Sequence, residues 1–228
     1  MSTIHFIGGE KGGVGKSVMS RALSQYMLDQ NLLYAGFDAD QSHNTLARFY
    51  PQFTQAINID DYEGADQIVE KAVTADINLV VDLPAQSERF LNKWMDDNDV
   101  ASLCEDMNVN CVYWYVVDDG VDSAGLAAGF LGRFAGKMPT VLVKNLGRGD
   151  DFAALDKALA EKGVSANYRL ELPALHAATM RHIDSLNLSF WGAGHISEGD
   201  EHLTLMERQR SRVWLNKVYA QIRTVVGF

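Results

Sequence analysis

A chain of 228 residues with 47% hydrophobic and 10% aromatic side chains is composed like a folded protein and is long enough for one sizeable core, so disorder is excluded and a single domain over 1–228 is expected. Thirty acidic residues against twenty basic ones give a formal charge of −10, which excludes a uniformly basic nucleic-acid surface and confines any such contact to a local patch. Two cysteines, Cys104 and Cys111, are too few for a disulfide framework and match no zinc spacing, so both are read as core or partly buried thiols.

The opening residues, MSTIHFIGGEKGG, lack the basic start and long apolar stretch of a secretory signal, and no later run nears about eighteen uninterrupted apolar residues; a soluble cytoplasmic protein is expected. Short β-rich apolar runs alternate with amphipathic stretches, the pattern of strand and crossover helix in a mainly parallel sheet covered on both faces. The first strand is expected at 3–8 (TIHFIG). It is followed by GGEKGGVGKS and a helix over 15–30, in which Val18, Ala22, Leu23, Tyr26 and Met27 recur at helical spacing.

Glycines between a strand and a helix N-terminus let backbone N–H groups curl round a phosphate while the helix dipole favours the anion. Gly15-Lys16-Ser17 fits the end of the phosphate-loop pattern G-x-x-x-x-G-K-S/T, although Glu10 stands where its first glycine belongs. Gly12, Gly13, Val14, Gly15, Lys16, Ser17 and Val18 form the candidate nucleotide loop. Within it, Lys16 is expected to reach the β- and γ-phosphates as a point charge and the Ser17 hydroxyl to ligate Mg2+.

The second strand, 32–38 (LLYAGFD), runs into DAD, which places Asp38 and Asp40 on one side of an extended chain at its carboxyl end, where doubly wound sheets hold ligands. After a helix near 63–75, the strand at 77–82 (INLVVD) delivers Asp82. A carboxylate behind a buried strand is the arrangement that holds Mg2+ directly or through water.

A helix near 86–97, a strand at 111–117 (CVYWYVV) and a helix near 122–136 lead to the strand at 139–144 (PTVLVK), which is followed by Asn145. A guanine site needs an aspartate at this point, since only a carboxylate accepts both donors on the guanine edge. The Asn145 amide instead suits adenine, so ATP is favoured over GTP.

The remaining expected elements are a helix near 150–162, a strand at 167–172 (NYRLEL), a helix near 174–187, a Gly-rich charged connector at 190–202 and a final helix at 203–225. That last helix carries Arg208, Arg210, Arg212, Lys217 and Arg223 opposite an apolar stripe of Trp214, Val218, Ile222 and Val225. The plain reading is a helix packed on the sheet with a solvated basic face. Non-specific DNA contact and an interfacial membrane helix are the two functional readings, with DNA favoured because the stripe is core-like.

KGGVGKS resembles the deviant phosphate loop K-G-G-x-G-K-S/T of the ParA/MinD superfamily of ATPases. The resemblance implies a single-domain α/β P-loop fold, a mainly parallel twisted sheet flanked by helices on both faces. It implies that Lys11, the signature lysine, crosses a dimer interface to the partner subunit's phosphates. DADQ is similar to the family's D-x-D-P-Q, with Gln41 in the proline's place, which implies that Asp40 orients the attacking water and Asp38 lies in the outer shell of Mg2+. Asp82-Leu83-Pro84-Ala85 resembles D-x-P-P, Asn145 matches a base-contacting asparagine, and Pro173 matches a residue lining adenine.

The implied function is an ATP-dependent dimerising ATPase, slow and partner-stimulated, that positions, partitions or stabilises plasmid DNA or other cargo, or serves conjugation. ATP and Mg2+ are its cofactors, and a homodimer, an adaptor protein and DNA its partners. The same phosphate site leaves open a synthetase or ligase, a weakly hydrolysing nucleotide-dependent scaffold, and a membrane-associated positioning protein. Cys104 and Cys111 sit in no Gly-rich cysteine loop, which sets the chain apart from the iron proteins that share the loop.

Overall fold

The computed structural model describes residues 1–134 and 136–225. In chain order the elements are β1 (Thr3–Gly8), α1 (Lys16–Asp29), β2 (Tyr34–Asp38), α2 (Thr45–Phe49), β3 (Thr54–Ala56), α3 (Tyr62–Thr74), β4 (Asn78–Asp82), α4 (Glu88–Asp97), α5 (Val100–Asp106), β5 (Asn110–Val117), α6 (Val121–Phe134), β6 (Thr140–Asn145), α7 (Ala153–Lys162), β7 (Tyr168–Leu172), α8 (Ala177–Ser185), α9 (Phe190–His195) and α10 (Leu205–Val225). The strands form one seven-stranded sheet in the order β3-β2-β4-β1-β5-β6-β7, and every pairing is parallel. This is the expected P-loop α/β architecture.

The two faces are separated by the period of two along each strand. Ile4, Phe6, Leu79, Val81, Tyr113 and Tyr115 point into one apolar layer with α3, α4, α5, α6 and α7. Ile7, Val80, Trp114, Val116, Val141 and Val143 point into the other, with α1, α2, α8, α9 and α10. Helices on both faces explain why the central strands are apolar throughout rather than alternating. His5 takes an inward place beside Ile7, fully buried, and accepts a hydrogen bond from Trp114 Nε1 at 3.2 Å. Burial lowers its pKa to about 3, so the ring is neutral.

Each expected strand and long helix is found with ends shifted by a few residues, and position 135 of the expected helix over 122–136 lies outside the described residues. Four short elements had no sequence signal: α2, β3, α5 and α9. The expected connector at 190–202 in fact begins with α9, whose N-cap Ser189 accepts from Gly192 N–H at 3.0 Å. Its glycines look like loop residues because they serve packing instead: a Cβ on Gly194 would sit 2.9 Å from Arg212 Cγ of α10. The terminal helix buries Trp214, Leu215, Val218, Tyr219 and Ile222, each worth roughly 1.5–3 kcal/mol of apolar burial for the larger aliphatic and aromatic chains.

Because all strands run the same way, the segments after β1, β2, β4, β5, β6 and β7 gather along one edge of the sheet. Those segments hold the glycine-rich loop, Asp40, the turn after Asp82, Asp118, Leu146 and Pro173 in turn.

Candidate functional site

The loop between β1 and α1 is shaped by left-handed backbone at Gly13 (φ 78°) and Gly15 (φ 106°), a conformation that glycine adopts without the penalty a side chain brings. Gly15 has a second constraint, since a Cβ there would lie 2.1 Å from Asn145 Nδ2. It is also the N-cap of α1, and being glycine it offers no side-chain acceptor. The first N–H groups of α1 are therefore left to point at whatever occupies the loop, the arrangement that receives an anion.

Lys16 opens α1 and is buried, 7% exposed, with its ammonium donating to the Lys11 carbonyl across the loop at 3.2 Å. Burial lowers its pKa, while Asp82, Asp40 and Glu10 act in the opposite sense. Asp82 ends β4 in register with Asp38 of β2 and Ile7 of β1. It is wholly buried; Oδ1 accepts from Ser20 Oγ at 2.8 Å and Oδ2 has no hydrogen-bond partner. Burial raises its pKa to about 7, helped by the charge of Asp38 and opposed by Ser20, Ser17 and Lys16.

Asp38 is buried too, and it braces its own loop: Oδ1 accepts from Asp40 N–H at 3.1 Å and Oδ2 from Ala47 N–H at 2.9 Å. Asp40 is more open. Its carboxylate accepts from Ser42 N–H at 3.1 Å and lies 3.1 Å from His43 Nδ1.

Lys11 does not reach its own loop. Its ammonium pairs with Asp118 Oδ2 at 2.8 Å, just past β5, and this contact raises the lysine's pKa, with Asp122 and Asp119 adding to it. Asp118 is the residue that sequence reading missed at this point; its only signal was its place after an apolar strand.

Asn145 is 5% exposed and both ends of its amide are engaged, Nδ2 donating to the Val14 carbonyl at 2.7 Å and Oδ1 accepting from Gly147 N–H at 3.0 Å. It holds the glycine-rich loop to the end of β6. Beside it opens a cavity of about 310 Å3 whose walls include Val18, Asn145, Pro173, Met180 and Asp184. The Pro173 carbonyl accepts from Trp214 Nε1 at 2.7 Å, which ties α10 to the cavity wall.

At roughly 100° per residue, the basic residues of α10 fall on two flanks of its buried stripe rather than on one face: Arg208, Arg212 and Arg223 on one side, Arg210 and Lys217 on the other. Arg208 donates to the Leu203 carbonyl at 2.7 Å and Arg212 to Gln209 Oε1 at 2.8 Å. Arg210 and Lys217 border a cavity of about 250 Å3 with His176 and Trp214. Among the described residues, no helix is long and apolar enough to cross a membrane.

No family model matches the chain. Along nearly its whole length it is similar to Escherichia coli proteins called TraL: one is 26% identical over 240 residues, covering 97% of this chain and 98% of that protein. Another is 25% identical over 237 residues with the same coverage, 97% and 98%. Among solved structures it is similar to the cell division ATPase MinD of Pyrococcus furiosus, with a TM-score of 0.63 at 14% identity over 99% of this chain and 100% of that one. The MinC:MinD complex of Aquifex aeolicus gives 0.61 at 13% identity over 100% and 96%. A plasmid partition protein of Borrelia burgdorferi bound to AMPPNP, described as putative, gives 0.53 at 15% over 95% and 99%. The chain thus shares its fold with MinD proteins and with that plasmid partition protein, and the resemblance carried by KGGVGKS holds in the fold.

Proposed function

We propose that the chain is an ATP-driven, dimerising switch of the MinD and ParA kind, acting on plasmid DNA or another cargo through an adaptor. The observation that supports this reading is a buried Lys16, whose charge is felt by Asp82, set with the unpartnered Oδ2 of that buried carboxyl beneath the uncapped start of α1. A buried carboxylate oxygen without a donor is costly unless a ligand completes it.

The loop N–H groups and Lys16 bind the β- and γ-phosphates, and the Val18, Asn145 and Pro173 cavity takes the adenine. Ser17 and Asp82 fit a Mg2+ ion, with Asp38 behind them. Among the described residues no cluster of three or more His, Cys, Asp or Glu side chains suits a metal, which is compatible with Mg2+, an ion commonly held by one or two carboxylates together with substrate phosphates. Held there, it would offset phosphate charge. Asp40, the most open of the three carboxylates, orients the attacking water, and Lys11 leaves Asp118 to serve the partner's phosphates. The basic flanks of α10 supply a salt-sensitive DNA contact once a dimer doubles them.

The test is turnover of purified chain. Slow ATP hydrolysis is expected with Mg2+, lost in EDTA, weaker with GTP and faster with DNA or an adaptor. Turnover that requires a small carboxylic acid acceptor would mark a ligase instead, and nucleotide binding without any turnover would mark a scaffold.

A further inference from the structure

Glu10 replaces the first glycine of the ordinary phosphate loop, and its side chain has a partner outside that loop. Glu10 Oε1 accepts a hydrogen bond from the backbone N–H of Glu88, the first residue of α4, at 3.0 Å. The helix's own N-cap, Ser87, makes no side-chain cap, and its buried Oγ has no partner. The start of α4 is therefore capped from the phosphate loop.

The side chain of Glu88, 6% exposed, accepts from Arg133 Nε of α6 at 2.6 Å. The segment joining Asp82 to α4 is held at both ends by the loop and its helix: Ser20 grips Asp82 and Glu10 grips Glu88. Between these anchors Gln86 has φ 62°, the left-handed region that a glutamine side chain disfavours. Burial raises the pKa of the Glu10 carboxyl, as does the charge of Glu88, while the Glu88 N–H and the charges of Lys16 and Arg133 act in the opposite sense.

From this geometry we infer that Glu10 is a positioning residue that reports occupation of the phosphate loop to α4: phosphate beside Lys16 repels the Glu10 carboxylate, frees the Glu88 N–H and loosens the first turn of α4. The inference rests on the nucleotide reading above. Like charge brought near a carboxylate that has shared a cation opposes it strongly in a partly desolvated loop. The α4–α6 surface, joined through Glu88 and Arg133, then differs between empty and loaded chains.

Hydrogen–deuterium exchange of the peptide spanning 86–92 tests this, with binding of a fluorescent ATP analogue measured on the same samples. In the unsubstituted chain, Mg2+ and a slowly hydrolysed ATP analogue should raise exchange there about threefold. Glu10→Gln keeps the acceptor without the charge, so exchange should stay low in both states. Glu10→Ala should show raised exchange in both states, with nucleotide still bound by all three proteins. Bound nucleotide with unchanged or slower exchange in the unsubstituted chain would overturn the inference alone, as would a Glu10→Gln chain that responds normally. Absence of nucleotide binding in the unsubstituted chain would overturn it together with the functional reading.

Discussion

Asp82→Asn should stabilise the nucleotide-free chain by about 2–4 kcal/mol at pH 8 while reducing Mg2+-dependent ATP turnover on the order of a hundredfold. The carboxyl is wholly buried with one oxygen unpartnered, and its pKa is raised to about 7. An acid whose folded pKa exceeds its unfolded value binds more protons folded than unfolded in the interval between them. Stability from this group is therefore greatest below the unfolded pKa of about 4 and is lost as pH rises through about 7.

Asparagine removes that titration and can keep the Ser20 hydrogen bond, but it cannot offer a charged ligand to Mg2+. Urea unfolding in EDTA at pH 5.5 and pH 8 separates the two chains: the native sequence should lose about 2 kcal/mol over that interval from this group, and the variant should lack that part of the slope. Identical pH slopes would show that Asp82 is not held in the state described. Full Mg2+-dependent turnover in the variant would remove it from the metal site.

Lys16→Ala should weaken ATP binding by about a hundredfold or more, roughly 3 kcal/mol. Lys16 is a buried cation among Asp82, Asp40 and Glu10, and its ammonium donates to the Lys11 carbonyl. In the proposed site its removal takes away the charge that would meet the phosphates and the charge that offsets Asp82, Asp40 and Glu10, so loss of affinity should exceed that of an exposed lysine. Titration with a fluorescent ATP analogue measures it; affinity within about threefold of the native chain would place the phosphates elsewhere.

Much of this site was legible in the sequence because its parts sit at strand ends. Apolar runs of the right length fixed β1, β2 and β4, and parallel order brings whatever follows them to one edge, so Lys16, Asp38 and Asp82 could be placed together before any coordinates. The short elements were not legible. β3 is a three-residue edge strand, and α5 has too few turns to show a period.

Hidden polar partners were the other gap. Ser20 lies one helical turn beyond Ser17, on the face toward β4, yet serine in a helix has no distinctive pattern. Glu10 read only as a departure from a glycine, and its bond to Glu88 depends on an approach that spacing does not reveal. Asn145 reads as a base contact in the sequence, and spacing does not reveal that its amide also braces Val14 and Gly147.

In the proposed switch Lys11 is the decisive residue, since in the single chain it is held by Asp118 and in the proposed dimer it must let go. Sedimentation velocity with Mg2+ and a slowly hydrolysed ATP analogue tests this directly. The native chain should pass from monomer to dimer, Lys11→Ala should bind nucleotide yet stay monomeric, and Asp118→Asn should dimerise at lower nucleotide concentration. A Lys11→Ala chain that dimerises as readily as the native one, or a native chain that stays monomeric when saturated, would contradict the account.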